Sequence, residues 1–210
     1  MYHLMNRNGA VLIRAIDGLG DISAYGSLRD SLRSADVATD FEFQRTYRNY
    51  WRMNVGRFKP AFYARYFELM SDCQRSGSAD LKEVLRSFSE LGAESRGLQF
   101  SFATKLVHMV DPRVPVYDNF IAAFYFFVPL GSKVSHEERV DHLVEFHEFL
   151  TVEYARIIQK GLLSKAISEF REGRSINSEI PDERVIDWLI WAWVAHLRSG
   201  AQRKHQTLFE

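Results

Sequence analysis

Apolar side chains return every three or four residues along most of this chain. Over residues 135–160 they fall at Val140, Leu143, Val144, Leu150, Tyr154, Ile157 and Ile158, with His147 in register, and this spacing predicts one long amphipathic helix. Ser135 and Glu138 form a capping-box pair at its start, and Gly161 is placed to stop it. Pro60 suits the first turn of a helix carrying Phe62, Tyr63, Tyr66, Phe67 and Met70. Asp80, preceded by Ser78 and Ala79, opens another through Leu81, Val84, Leu85 and Phe88. Residues 98–110 read as a helix ended by Asp111-Pro112, because a residue before proline is pushed out of helical geometry. Residues 120–127 form a short apolar helix. From Asp182 onward, Val185, Ile186, Trp188, Leu189, Ile190, Trp191, Trp193 and Val194 cover nearly the whole circumference, the mark of a helix surrounded by others. Residues 10–16 fit either a short helix or a strand.

These elements predict an all-α protein: a single helical domain over residues 1–210, with about eight helices around a central apolar one at 182–197. Residues 71–78 and 172–181 read as loops, and 202–210 as a frayed tail. No internal repeat and no Ser/Gly linker divides the chain.

A hydrophobic content of 46% over 210 residues is ample for a core. The longest apolar runs, 120–130 and 185–194, fall short of the roughly 20 residues that a membrane span needs. The first residues lack the basic-then-apolar order of a signal peptide, and the lone Cys73 can form neither an internal disulfide nor a thiolate metal cage. A soluble, cytoplasmic protein with no membrane partner is expected.

Lys and Arg number 27 and Asp and Glu 27, a balance that weighs against nucleic-acid binding by bulk charge. The zero is nevertheless a cancellation. Residues 41–67 carry Arg45, Arg48, Arg52, Arg57, Lys59 and Arg65 against Glu42, whereas residues 135–155 carry six acids against Arg139. The basic stretch is interleaved with Phe41, Phe43, Tyr47, Tyr50, Trp51, Phe58, Phe62, Tyr63 and Tyr66. Guanidinium groups pair with phosphate oxygens and rings stack on unpaired bases, so this pattern fits DNA contact. It fits equally a set of core rings covered by the aliphatic stems of solvated arginines.

Of the histidines, His136, His142 and His147 share the long helix at intervals of six and five, not the i, i+4 spacing that sets two metal ligands on one face. No metal is expected. Phosphate-binding glycine loops, a dinucleotide fingerprint and a serine-nucleophile elbow are all absent, so no cofactor is expected either.

One segment concentrates chemistry. In residues 98–110, Phe102, Ala103, Leu106, Val107, Met109 and Val110 make a wide apolar surface, and Ser101, Lys105 and His108 form a narrow polar stripe at i, i+4 and i+7. A seven-residue connector with two prolines leads to Asp118 at the head of the next helix. Fully extended, it reaches roughly 23–25 Å, enough to fold back and set Asp118 beside Lys105. Asp118 is also a good helix N-cap, and Lys105 is able to pair with it or snorkel to water.

Ser101-Phe-Ala-Thr-Lys105-Leu followed by Val114-Pro-Val-Tyr-Asp118 resembles the active-site segment of the helix-hairpin-helix DNA glycosylase superfamily, and is closest to bacterial 8-oxoguanine DNA glycosylase-like proteins. Tyr50-Trp-Arg-Met-Asn54, Tyr66-Phe67 and Val185-Ile-Asp-Trp-Leu-Ile-Trp191 also look similar, so the resemblance spreads over residues 47–194. That family's hairpin has a Leu-Pro-Gly-x-Gly-like turn; here the corresponding residues, from Gly97 to Thr104, lack the glycine pair.

The resemblance implies a DNA-repair enzyme that flips a modified base into a pocket. Lys105 would be its nucleophile toward the sugar C1′, Asp118 its stabiliser of positive charge, and His108 a proton relay. Arg45, Arg48, Arg52, Arg57 and Lys59 would hold DNA, and Trp51, Phe100 and Tyr117 would stack on the base. Burial among Phe102, Leu106 and Phe124 would lower the pKa of the amine, and an ion pair with Asp118 would hold it charged at rest. The alternative is a non-catalytic helical module that binds nucleic acid or protein through residues 41–67, with Lys105 and Asp118 as a structural pair. The sequence leaves the oligomeric state open.

Overall fold

The computed structural model describes residues 1–18, 22–34, 36–53, 58–90, 98–172 and 180–199. Among them lie eleven helices and no strand: α1 (Tyr2–Arg7), α2 (Gly9–Asp17), α3 (Ile22–Ser34), α4 (Phe41–Tyr50), α5 (Pro60–Ser76), α6 (Leu81–Glu90), α7 (Phe100–Val110), α8 (Asn119–Phe124), α9 (His136–Gln159), α10 (Ser164–Glu172) and α11 (Asp182–Arg198). The all-α reading holds, residues 10–16 being helical in α2. None of the described helices is long and apolar enough to cross a membrane. Arg57, residues 173–179 of the loop expected at 172–181 and the tail expected at 202–210 lie outside the described residues, and Glu172 is the last residue of α10.

Helix α11 is central, packed against α2, α8, α9 and α10, and Val185, Ile186, Leu189, Ile190 and Ala192 are fully buried. A second group forms where α5 and α6 pack on α7 and α3 packs on α4. Buried side chains of both groups merge into one hydrophobic core. Most rings of the basic stretch enter that core. Tyr47, Phe62, Tyr66 and Phe67 are fully enclosed, and the Tyr47 hydroxyl lies 2.7 Å from that of Tyr66, which donates to the carbonyl of Phe102 at 3.1 Å. Of the nine rings, only Phe41 is largely exposed. The acidic face of α9 is partly neutralised by α6, because Lys82 bridges Glu137 and Asp141 and Arg86 meets Glu137 at 2.6 Å.

Local signals explain most boundaries. Pro60 is the first residue of α5, Asp80 accepts the amide of Glu83 ahead of α6, and Ser135 and Glu138 close a reciprocal capping box on α9. Two boundaries differ from expectation. Helix α5 continues through Ser76, so residues 71–76 are helical rather than loop; Gly77, left-handed at φ 72, ends it. Helix α8 is shorter than expected and stops at Phe124, because Phe126 turns left-handed at φ 55.

Both α8 and α9 end in the same motif. After α9, Leu162 N–H donates to Ile157 O and Gly161 N–H to Ile158 O, with Gly161 at φ 62; after α8, Phe127 N–H donates to Ala122 O and Phe126 N–H to Ala123 O. Glycine at 161 announces the turn in the sequence, and phenylalanine at 126 conceals it. The turn is held because it lays Phe127 on Phe146, ring centroids 3.8 Å apart. Phe126 itself is 84% exposed, so its side chain contributes little to offset the left-handed cost of about 1–2 kcal/mol. Phe126→Gly is therefore expected to stabilise the protein by about 1 kcal/mol, read as a higher urea midpoint with an unchanged slope.

Candidate active-site cleft

The connector between α7 and α8 finds no strand to pair with among the described residues, yet it runs through the interior, and its backbone groups are satisfied by side chains. His108 Nδ1–H donates to Val114 O at 2.7 Å, and His147 Nε2–H donates to Pro115 O at 3.0 Å. Val116 N–H donates to Asp187 at 3.2 Å and Tyr117 N–H to Thr104 Oγ1 at 3.1 Å. Four consecutive residues are thus fixed by α7, α9 and α11, and the chain emerges at Asp118. One oxygen of Asp118, Oδ1, accepts the amides of Phe120 and Ile121, each at 2.8 Å, so this carboxylate caps α8.

Asp118 and Lys105 line one open cleft of about 990 Å³, at the upper end of the range for ligand sites. Arg45 and Arg52 stand on its exposed rim, Tyr50 and Trp51 on one wall, and Phe120 and Trp191 on another. The floor carries Arg184 and Asp187 of α11. Arg52 follows α4 in a left-handed turn at φ 52.

Lys105 makes no ion pair with Asp118. Its Nζ donates instead to Ser101 Oγ at 3.0 Å, one turn back on α7. This corrects the expected resting pair: Asp118 spends Oδ1 on the helix cap and acts on the amine only through space. The ring faces near the amine are Phe102, as expected, at 5.3 Å and Trp51 at 5.8 Å; Phe124, also expected to desolvate it, packs at the far end of α8 against Tyr2 and Tyr125. Burial lowers the Lys105 pKa to about 8 from its ordinary 10.5, with Asp118 opposing the shift and Arg184 adding to it. Near neutral pH a larger share of the molecules then hold a free amine than for an ordinary lysine.

His108 lies off the cleft. It is fully buried, and because its Nδ1 donates to a carbonyl, Nε2 accepts from the Tyr25 hydroxyl at 2.7 Å. Burial holds its pKa well below the usual value, so it is a neutral anchor of the connector whose two ring nitrogens are both engaged away from Lys105. Phe100 and Tyr117 pack on each other at 4.6 Å inside the core, away from the cleft. Trp51 does line the cleft, although only 8% of it is exposed. Arg48 lays its guanidinium over the Tyr63 ring at 3.8 Å and does not line the cleft; Lys59 is exposed at the N-cap of α5. Cys73 is half-buried on α5, where burial pushes its thiol pKa up and away from reactivity. Among the described residues no group of His, Cys, Asp or Glu is arranged to hold a metal ion.

Sequence reasoning passed over the cleft floor. Arg184 and Asp187 are 6% and 4% exposed and stand 3.4 Å apart on the otherwise apolar face of α11. Asp187 also accepts the Tyr154 hydroxyl at 2.8 Å, and burial raises its pKa to about 7. Two charges three residues apart in an all-round apolar helix are the signal that marks them, since isolated buried charge is costly. Phe120 and Trp191, ring centroids 4.9 Å apart, add a partly exposed aromatic wall with Arg198 over the outer face of Phe120 at 4.6 Å.

The depressed lysine makes stability depend on pH. Between about pH 8 and 10.5 the unfolded chain keeps a proton on Lys105 that the folded protein has lost, so this residue's unfavourable contribution, full below pH 8, fades as pH rises through that window. Lys105→Met is expected to raise stability by roughly 2 kcal/mol at pH 7, and by clearly less at pH 9.5, in paired urea titrations. A gain that is equal at both pH values would contradict the buried, depressed amine.

No protein-family profile, curated protein or solved structure matches the chain.

Proposed function

We propose that the protein is a base-excision DNA glycosylase with lyase activity that acts on a modified base flipped out of the duplex. The observation that carries this reading is a desolvated lysine amine and a capping carboxylate on one open cleft, with two arginines at its rim. The sequence resemblance around Lys105 and Asp118 points the same way. Rim arginines suit the phosphates that flank an extruded nucleotide, and the cleft has room for the base.

In this reading the lone pair of Lys105 Nζ attacks C1′ of the sugar. The bond from C1′ to the base nitrogen breaks and its electrons leave with the base, which takes up a proton. Positive charge that develops at the sugar is stabilised by the carboxylate of Asp118, already fixed by α8 and needing no reorganisation. Loss of a proton from the attached nitrogen and opening of the sugar ring give a Schiff base. Removal of a proton from C2′ of that imine forms a C2′=C3′ double bond as the C3′–O bond breaks, and the 3′ phosphate leaves with its electrons, which cuts the strand.

Borohydride reduction of the imine is expected to trap wild-type protein covalently on duplex DNA containing an abasic site, and Lys105→Gln is expected to abolish the trapped band. Absence of trapping by the wild type, together with absence of base release over a panel of lesions, would refute the enzyme and leave a non-catalytic binding module. Arg45→Glu and Arg52→Glu are expected to weaken duplex binding and to flatten its dependence on salt, by about one unit of slope for each lost phosphate contact.

A further inference from the structure

The guanidinium of Arg184 is poorly satisfied for a buried cation. It has five N–H donors. Among the described residues its hydrogen bonds are long, to Asp187 Oδ2 at 3.4 Å and to the Tyr50 hydroxyl at 3.2 Å, and its Nε has no partner. Three rings enclose it, Tyr25 at 5.2 Å, Trp51 at 4.9 Å and Trp188 at 4.6 Å, so it cannot swing out to water. The residue is 6% exposed and lines the cleft. The indole N–H of Trp51, on the adjoining wall, is likewise buried without a partner. Donors therefore exceed acceptors at the floor, and unpaired buried donors call for an acceptor from outside the chain.

We propose that Arg184 is a specificity-determining residue that donates to a carbonyl oxygen on the edge of the planar base held in the Lys105 cleft, and rejects a base that presents an amino group there. This rests on the glycosylase reading of the cleft. A neutral carbonyl suits Arg184 better than an anion, because the Asp187 carboxylate 3.4 Å away already counters the charge of this guanidinium while leaving donors unpaired. Phosphates belong instead at the rim, with Arg45 and Arg52. An amino group facing the guanidinium would oppose donor to donor and leave both unpaired, which makes the selection repulsive as well as attractive. Asp187 holds Arg184 in place: its oxygens accept from Tyr154 and from the amide of Val116, which ties the floor of the cleft to the connector that carries Asp118.

The test compares duplexes that carry non-cleavable 2′-fluoro nucleotides, hypoxanthine against adenine and uracil against cytosine. Each pair differs at the 6- or 4-position by oxygen in place of an amino group, with the ring proton that accompanies it. Wild-type protein is expected to bind the carbonyl member of each pair roughly 10- to 100-fold more tightly. Arg184→Met is expected to bring both ratios close to one, while Arg184→Lys, which keeps a donor and the charge beside Asp187, is expected to retain part of the preference and serves if the Met variant fails to fold. Equal binding of the two members by wild type, or an undiminished preference in a folded Arg184 variant, would overturn the assignment. Borohydride trapping on abasic-site DNA needs no base, so trapping without a carbonyl preference removes this inference alone, and lack of trapping removes the glycosylase reading.

Discussion

Residues 114–117 cross the interior of a helical protein in non-helical form, and a buried peptide group without a partner costs about as much as a lost hydrogen bond. His108, His147, Asp187 and Thr104 meet that demand one residue at a time, from three different helices. Each of these side chains is buried because the connector is there. The connector in turn sets the point at which α8 begins, and so the position of Asp118 opposite Lys105. Loss of any one anchor would leave a backbone group unsatisfied and loosen the carboxylate that lines the cleft.

The same arrangement explains why Lys105 can be reactive and Asp118 can be steady. A direct ion pair would have raised the pKa of the amine and quenched it. With Oδ1 committed to the amides of Phe120 and Ile121, Asp118 stays near enough to oppose the shift but does not cancel it. Ser101 supplies a neutral acceptor to the amine, and the rings of Phe102 and Trp51 stand beside it. The cost is a partly desolvated cation in the resting protein, a case in which a site lowers stability in return for chemistry.

Much of the framework was legible in the sequence because its signals are local. Ser135 with Glu138, Pro60, Asp80 and Gly161 mark helix ends through their own backbone preferences and caps, and each end lies where they put it. The end of α8 escaped notice because Phe126 adopts a conformation that favours glycine, held by the long-range stacking of Phe127 on Phe146. Aromatic residues in the basic stretch were ambiguous for a related reason: spacing shows that they are amphipathic, not whether the apolar side meets the core or a ligand. The structure sends most of them inward.

By itself, the sequence determined an all-helical chain, a central helix at 182–197, and a lysine and an aspartate separated by a connector long enough to fold back. Those features follow from periodicity, caps and chain reach, which act over a few residues. Tertiary structure alone decided that Lys105 and Asp118 share a cleft without pairing, that His108 faces the connector instead of the amine, and that Arg184 and Asp187 form the floor. Those outcomes depend on which buried polar groups lack partners, and partners are assigned only when distant helices come together.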